Sequence, residues 1–437
     1  MQKQYYNESA GVNKLRRFYK RWQIGGIIMN LRNDAKRIID AAITAALPDT
    51  AVKKALEGED FQGGRILLVA IGKAAWSMAR AASDILGNRI DDGIVITKYG
   101  HAKGDLPHIS IYEAGHPVPD ANSFAATEQA IRLVSGLSVN DLVLLLISGG
   151  GSALFEKPLI PEDMLKNLTK QLLASGADII EMNTIRKRLS AVKGGKFAKL
   201  CEPARVFSVV LSDIIGDPLD MIASGPAYPD RSTSAQAYAI IKKYNLAIPE
   251  EIDELLRIET PDTLTNVTTK ITGSVTQLCS AAEKTCRELG YEPVILTASL
   301  TCEAREAGRF LASIAQYHSN SDKPLAFIAG GETVVHLKGT GKGGRNQELA
   351  LAAAPGIAGL KKAAVFSIGS DGTDGPTDAA GGYVDSNTME RLKDKGIDIF
   401  GALEDNDAYH ALQACDGLII TGPTGTNVND LSVLLIR

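Results

Sequence analysis

The chain has 437 residues, of which 45% are hydrophobic and 22% charged, as expected for a globular protein of two or three domains. A formal net charge of −4 and an aromatic content of 5% argue against a general nucleic-acid or anionic-lipid binder. No apolar run approaches the roughly 18 residues of a membrane span. The five scattered cysteines lack zinc-site spacing and fit a reducing compartment, so we expect a cytoplasmic protein.

Residues 1–28 differ in composition from the rest of the chain. They contain six lysines and arginines but only one acid, Glu8. A targeting peptide is one interpretation, although the apolar core of a signal is missing. We favour a basic leader, or a sequence that has been started upstream of the native initiator Met29. The reason is that a helical pattern begins only near Leu31.

Buried strands, Gly-rich turns and helices alternate along the chain. Continuous apolar runs at 65–71, 141–147 and 204–211 are typical of parallel strands that are covered on both faces. The second half repeats this alternation, with strands predicted at 292–296, 325–329, 333–338, 363–368 and 417–420.

A Pro- and Ser-rich stretch near 230–270 predicts the domain boundary. We expect two α/β domains at 29–240 and 265–437, each with α/β/α layers and a mostly parallel sheet. The sequence leaves open whether the last strand returns to the first domain. Loops at the carboxyl ends of the strands are the expected ligand sites.

Two of these loops have the composition of anion sites. Lys73 stands where a buried strand gives way to a helix, whose free N–H groups and dipole favour an anion. In the run Ser148, Gly149, Gly150, Gly151 and Ser152, the glycines allow close backbone approach to a phosphate. The alternatives are a surface lysine and a plain connection. A Walker A motif is absent from the sequence.

Acidic residues follow other strands. Asp213 comes directly after the run at 204–211, where it could hold Mg²⁺ or orient a substrate hydroxyl. Asp217 precedes a proline, and we interpret it as a turn residue. The loop at 370–378 could hold a metal or simply form Asp-Gly turns, and EF-hand spacing is missing there.

One motif points toward a dinucleotide. Gly339, Gly341 and Gly344 match GxGxxG, but the preceding strand at 333–338 alternates as a half-exposed strand does. Arg345 and Asn346 open the next helix and suit direct anion binding.

We interpret His116, in a proline-bounded turn, as structural. Together, the loops indicate phosphoryl transfer without naming the acceptor.

The chain resembles the class II glycerate 2-kinases, whose C-terminal part is a MOFRL-type domain. The resemblance spans about 30–437 and leaves out only the basic leader. It rests on the segments VAIGKAAWSMA (69–79), YEAGHPVPDANS (112–123), LISGGGSALFEKP (146–158), NTIRKRLSAVKGGKFA (183–198), LSDIIGDPLDMIASGPAYPD (211–230), CEAREAGRF (302–310), GGETVVHLKGTGKGGRNQELALAAA (330–354), SIGSDGTDGPTDAAGG (367–382) and LIITGPTGTNVNDL (418–431).

The resemblance implies ATP-dependent phosphorylation of D-glycerate at its 2-hydroxyl, in a cleft between the two domains. The active-site lysine and arginine of the family fall on Lys73 and Arg345, and we add Asp213 as a third catalytic residue. Phosphate or nucleotide contacts are assigned to Ser148, Gly149, Gly150, Gly151, Ser152, Gly343, Gly344 and Asn346. Ligands of Mg²⁺ or another divalent cation are assigned to Asp213, Glu332 and Asp371.

Two other functions stay open at this point. A hydroxypyruvate reductase would need NAD(P)H, for which the sequence offers only the GxGxxG match. A nucleotide- or phosphate-binding protein without activity is the second. The expected partners are ATP and D-glycerate, with no nucleic acid or membrane, and the expected state is a monomer or homodimer.

Overall fold

The computed structural model describes residues 30–437, so the predicted leader at 1–28 lies outside the described residues. The first half of this part is built on a six-stranded sheet whose strands are all parallel, in the order β3-β2-β1-β4-β5-β6. Its strands are β1 (Ile66–Ile71), β2 (Ile90–Lys98), β3 (Ile109–Ala114), β4 (Leu142–Ile147), β5 (Arg205–Leu211) and β6 (Val267–Gly273).

Within the described residues, ten helices belong to the segment that contains this sheet. Capping boxes begin three of them, at Asp120, Asp178 and Thr233, where side chains satisfy the first free N–H groups. The helices are α1 (Leu31–Ala45), α2 (Pro48–Leu56), α3 (Ala75–Leu86), α4 (Ala121–Leu133), α5 (Gly151–Leu154), α6 (Glu162–Ala174), α7 (Ile179–Arg188), α8 (Lys196–Leu200), α9 (Ser234–Lys243) and α10 (Glu250–Arg257).

The second sheet has the order β11-β10-β9-β12-β8-β7, and β10 and β12 run opposite to the other four strands. Its strands are β7 (Glu292–Leu300), β8 (Leu325–Gly331), β9 (Ala363–Gly369), β10 (Gly381–Asp385), β11 (Leu418–Ile419) and β12 (Asp430–Ile436). The accompanying helices are α11 (Val275–Glu288), α12 (Ala304–Tyr317), α13 (Arg345–Ile357), α14 (Thr388–Asp394), α15 (Ile399–Glu404) and α16 (Ala408–Ala414).

Both sheets are covered by helices on two faces, which confirms the predicted layers. Leu68 of β1 packs in one cluster with Met78 of α3, whereas its neighbour Val69 packs in another with Ala126 of α4. This alternation is what a strand buried on both faces requires. None of the helices in residues 30–437 is long and apolar enough to cross a membrane.

The predicted domain ranges, 29–240 and 265–437, need correction in two places. Strand β6 pairs with β5, so the first sheet extends to Gly273 rather than ending at 240. Helix α1 packs against α11 of the second unit, where the Tyr291 hydroxyl donates to Asp34 Oδ2 at 2.7 Å. The last strand, β12, stays in the second sheet between β8 and β9. Its seven buried residues fill the centre of that sheet.

The strand predicted at 333–338 is wrong. Apart from one bridge between Glu303 and Val334, this stretch is irregular, and the Leu337 side chain is 81% exposed. Alternation alone misleads here because the main-chain N–H groups of Lys338 and Gly339 bond to the Asn406 side chain instead of a neighbouring strand.

Candidate active site

The loops after β1 and β4 are tied to each other at the carboxyl edge of the first sheet. The Lys73 N–H donates to Gly149 O at 2.8 Å, and Ser148 Oγ accepts from Ala74 N at 3.0 Å. Gly72 has φ 112°, and a Cβ there would lie 2.3 Å from Ser148 Oγ. Only glycine fits this approach, which fixes Lys73 beside the Gly-rich loop.

The Gly-rich loop presents unused donors. Gly150 is left-handed (φ 85°) and leads into the single turn α5. Among residues 30–437, no acceptor bonds to the main-chain N–H of Gly149, Gly150, Gly151 or Ser152. Successive free N–H groups of this kind form a concave anion site. The loop therefore has the geometry expected of a phosphate cradle.

A buried lysine, which the sequence analysis did not single out, binds main-chain oxygens at the end of the Gly-rich loop. Lys193 is fully buried and pairs with Glu156 at 2.8 Å. Its Nζ also donates to Ser152 O at 2.9 Å and Phe155 O at 3.0 Å. All three ammonium protons thus have acceptors, and the loop is fixed to the core.

His116 lies closer to the site than its predicted structural role suggests. A Cβ on Gly150 would be 3.0 Å from His116 Cδ2 and 3.2 Å from Lys73 Cγ. Burial lowers the pKa of His116, as do the charges of Lys73, Lys98 and His101. Within residues 30–437 the ammonium groups of Lys73 and Lys98 form no direct ion pair, which leaves both available to an anionic ligand.

Asp213 lies on the other side of the Gly-rich loop. A Cβ on Gly149 would approach Asp213 Oδ2 to 2.1 Å, so the loop and this carboxylate are in close contact. Burial raises the pKa of Asp213, Lys73 lowers it, and Glu332 raises it. No side chain of the described part of the protein donates to the carboxylate, which leaves it able to accept a proton.

The second sheet contributes an arginine held by two acids. Arg345 donates to Asp430 through Nε (2.6 Å) and Nη2 (3.0 Å), and to Glu332 Oε1 through Nη1 (2.9 Å). Burial lowers the pKa of Arg345, but the bonds to Asp430 raise it above its ordinary value. The side chain is 34% exposed, so the fixed guanidinium still faces solvent.

The two halves of the site are linked by one amide. Asn429 Nδ2 donates to Asp213 O at 3.1 Å and to Glu332 Oε2 at 3.3 Å. The structure thus brings Lys73, Asp213, Glu332 and Arg345 into one region, and their catalytic and metal-binding roles stay predictions. Asn429 was not singled out by the sequence analysis, although it stands in the motif at 418–431.

Asn346 is buried and its donors are engaged by Asp374, so its predicted role in phosphate binding gains no support from the structure. Its main-chain N–H and its Nδ2 both donate to Asp374 Oδ1, at 3.1 and 3.3 Å, and the residue is 1% exposed. Asp374 also accepts from Gln347 N at 2.8 Å, so a protein carboxylate already occupies the start of α13. Gly344 packs against Asp374, where a Cβ would be 2.3 Å from Cγ. A role for Gly343 stays a prediction.

The GxGxxG segment has no free donors for a dinucleotide at its start. The Thr340 N–H donates to Asp405 Oδ1 at 2.9 Å, and the Lys342 N–H to Asp407 Oδ1 at 3.0 Å. Gly341 N also donates to Asp405 O, at 2.8 Å. The glycines allow this close packing of two loops, which explains the motif without a cofactor.

The predicted metal ligands do not converge as a set of three. Asp371 Oδ1 accepts from the Thr373 N–H at 2.9 Å within its own turn. In the part of the chain that the structure describes, no three His, Cys, Asp or Glu side chains form a metal-binding group. Mg²⁺ needs only one or two carboxylates when phosphate oxygens and water complete its shell, and Asp213 and Glu332 meet that requirement.

Comparison with known proteins places the chain among relatives of similar length. A family model described as a domain of unknown function, DUF4147, matches residues 34–257, and the MOFRL family model matches 325–430. D-glycerate 2-kinase of Thermotoga maritima is 51% identical over 93% of this chain and 99% of its own length. The crystal structure of the glycerate kinase from that organism has a TM-score of 0.89 at 50% identity, covering 93% of this chain and 99% of that one.

Two further relatives carry different names. Glycerate 2-kinase of Pyrococcus horikoshii is 41% identical over 94% of this chain and 98% of its own length. A putative hydroxypyruvate reductase of Agrobacterium vitis is 39% identical over 93% of this chain and 95% of its own. With both family models matched in order and the kinase relatives aligned over nearly their whole length, the chain belongs to the class II glycerate 2-kinase family.

Proposed function

We propose that this protein transfers the γ-phosphoryl group of ATP to the 2-hydroxyl of D-glycerate, giving 2-phosphoglycerate. The observation that supports the proposal is that charged residues of the two halves lie in one site. Asn429 contacts both Asp213 and Glu332, and Glu332 pairs with Arg345. Lys73 lies beside Asp213. Phosphoryl transfer depends on such fixed charges around a positioned hydroxyl, with little covalent chemistry by the protein. The D-glycerate 2-kinase relative supports the choice of acceptor.

Asp213 orients the 2-hydroxyl of glycerate and accepts its proton. Its carboxylate has no side-chain donor in residues 30–437, and burial raises its pKa, both of which favour proton uptake. Proton transfer to Asp213 leaves the alkoxide to attack the γ-phosphorus. The leaving group is ADP.

The anionic parts of the substrates are divided between the two halves of the site. The free N–H groups of 149–152 cradle phosphate oxygens, beside the unpaired ammonium of Lys73. Lys73 balances negative charge on the transferring phosphoryl group, and Arg345, already paired with Asp430 and Glu332, donates its remaining N–H groups to the glycerate carboxylate. Because Arg345 is held by two acids, its planar fork is oriented before substrate binds.

Mg²⁺ fits the carboxylates that face the cleft. Glu332 would hold the ion, with Asp213 close to it, since Asn429 contacts the Glu332 carboxylate and the main-chain oxygen of Asp213. When bound, the ion would neutralise charge on the phosphate oxygens. We also propose a cytoplasmic location, where ATP is present and the five free thiols of the chain would stay reduced.

The test is an assay of the purified protein with ATP, Mg²⁺ and D-glycerate, with the product identified by ³¹P NMR. We expect 2-phosphoglycerate, and loss of activity in Lys73→Ala but not in Lys103→Ala, which removes an exposed lysine. NADH oxidation with hydroxypyruvate, in a protein that does not consume ATP with glycerate, would overturn the proposal.

A further inference from the structure

The motif at 183–198 contains Arg186, which has no role in the proposed reaction as described above. Within it, Arg186, Lys187 and Arg188 are three consecutive cations of α7. Lys187 pairs with Asp230 at 3.3 Å, and Arg188 pairs with Glu259 at 2.8 Å. Arg186 is half-buried, and in residues 30–437 its guanidinium has no ion pair or hydrogen bond. In this described part of the chain, the partly exposed guanidinium therefore keeps its five N–H donors available for water or a ligand.

The helix directs Arg186 toward the back of the Gly-rich loop. Asn183, three residues earlier and so on the same face of α7, accepts from Ser224 Oγ at 3.4 Å. Ser224 Oγ in turn lies 3.0 Å from Ser152 Oγ, which belongs to the loop. A chain of three polar side chains therefore connects this face of α7 with the phosphate cradle.

The electrostatic environment of Lys193 supports the same placement. Burial lowers the pKa of Lys193, Glu156 opposes that effect, and the charge of Arg186 lowers the pKa further. Lys193 Nζ contacts Ser152 O at 2.9 Å, so the Arg186 charge that acts on Lys193 is also close to the loop. Since Lys193 is already neutralised by Glu156, Arg186 adds a positive charge that no ion pair within residues 30–437 balances.

We propose that Arg186 binds the polyphosphate of ATP and so sets the affinity for the nucleotide rather than for glycerate. The inference rests on the proposed kinase function. A triphosphate carries several negative charges, which match the four free N–H groups together with Lys73, Lys98 and Arg186. Glycerate has a single carboxylate, which the remaining Nη1 and Nη2 N–H groups of Arg345 can bind, since Asp430 and Glu332 fix that guanidinium in the second half of the site.

The experiment compares Arg186→Gln with wild type by calorimetric titration of Mg²⁺ and a non-hydrolysable ATP analogue. We expect about 10- to 100-fold weaker nucleotide binding, as for loss of charge-assisted hydrogen bonds. The KM for D-glycerate should change less than about twofold. Arg205→Gln is the matched control, because it removes an exposed arginine at the amino end of β5, the opposite edge of the sheet.

The outcomes separate this inference from the proposed function. A wild-type protein that neither binds the analogue nor phosphorylates glycerate would remove the kinase proposal itself. An active wild type with unchanged nucleotide affinity in Arg186→Gln, or with only the glycerate KM raised, overturns the inference alone.

A measurement on the wild type covers the case in which the variant does not fold. Phenylglyoxal modifies accessible arginines, and peptide mass spectrometry identifies the residue. The Mg²⁺–ATP analogue should slow modification of Arg186 severalfold, whereas D-glycerate should not. Equal modification rates with and without nucleotide would contradict the inference.

Discussion

Asn429 donates a hydrogen bond from Nδ2 to the main-chain oxygen of Asp213 at 3.1 Å, joining residues that are 216 positions apart in the chain. The same amide group contacts Glu332. One side chain thus sets the distance between the acid of the first sheet and the charged residues of the second.

Removal of this link should loosen the site without damaging either sheet. Asn429 has φ 68°, so Asn429→Gly removes the side chain without adding backbone strain. We expect kcat/KM to fall by about 10- to 100-fold, because misplacement of reacting groups is costly. Amide hydrogen exchange at 212–217 should become faster. Asn245→Gly, at another left-handed asparagine, is the control, and equal activity of both variants would contradict the role of Asn429.

Asp213→Asn should abolish proton acceptance while keeping the shape of the side chain. We expect kcat to fall by about 10²- to 10⁴-fold in steady-state assays, with smaller changes in KM. Because the pKa of Asp213 is raised, the wild-type rate should increase with pH through a midpoint above the ordinary value of 3.8. Asp217→Asn, in a turn with φ 51°, should stay active. A variant of Asp213 with wild-type kcat would exclude it as the base.

The buried pair of Lys193 and Glu156 should show strong coupling. Lys193→Met leaves the Glu156 charge buried and unpaired, so the free energy of unfolding should fall by about 3–5 kcal/mol. The double variant Lys193→Met with Glu156→Leu removes both charges and should regain much of that loss, measured by urea titration. A double variant no more stable than Lys193→Met alone would contradict the coupling.

Asp374 should make stability depend on pH. Burial raises its pKa to about 6, above the ordinary 3.8, so between these values the folded state holds a proton that the unfolded state releases. This carboxyl group therefore lowers the free energy of unfolding as pH rises from 4 to 6. Asp374→Asn cannot titrate, and its curve over that range should be flatter in urea titrations at several pH values. Parallel curves would contradict the assignment.

The sequence alone determined the elements that depend on local pattern. The apolar runs at 65–71, 141–147 and 204–211 became β1, β4 and β5, because a strand buried on both faces needs consecutive apolar residues. Lys73, the loop at 148–152 and Asp213 were found because they follow those strands directly, and parallel strands bring their carboxyl ends to one edge.

Only the tertiary structure decided which groups are free to bind a ligand. The donors at the start of α13 are taken by Asp374, and those of the GxGxxG segment by Asp405 and Asp407, so both motifs serve packing. Lys187 and Arg188 form ion pairs, whereas their neighbour Arg186 forms none with the residues that the structure describes. A hydrogen-bonding group is available or satisfied according to partners that are distant in the chain, and no local pattern contains that information.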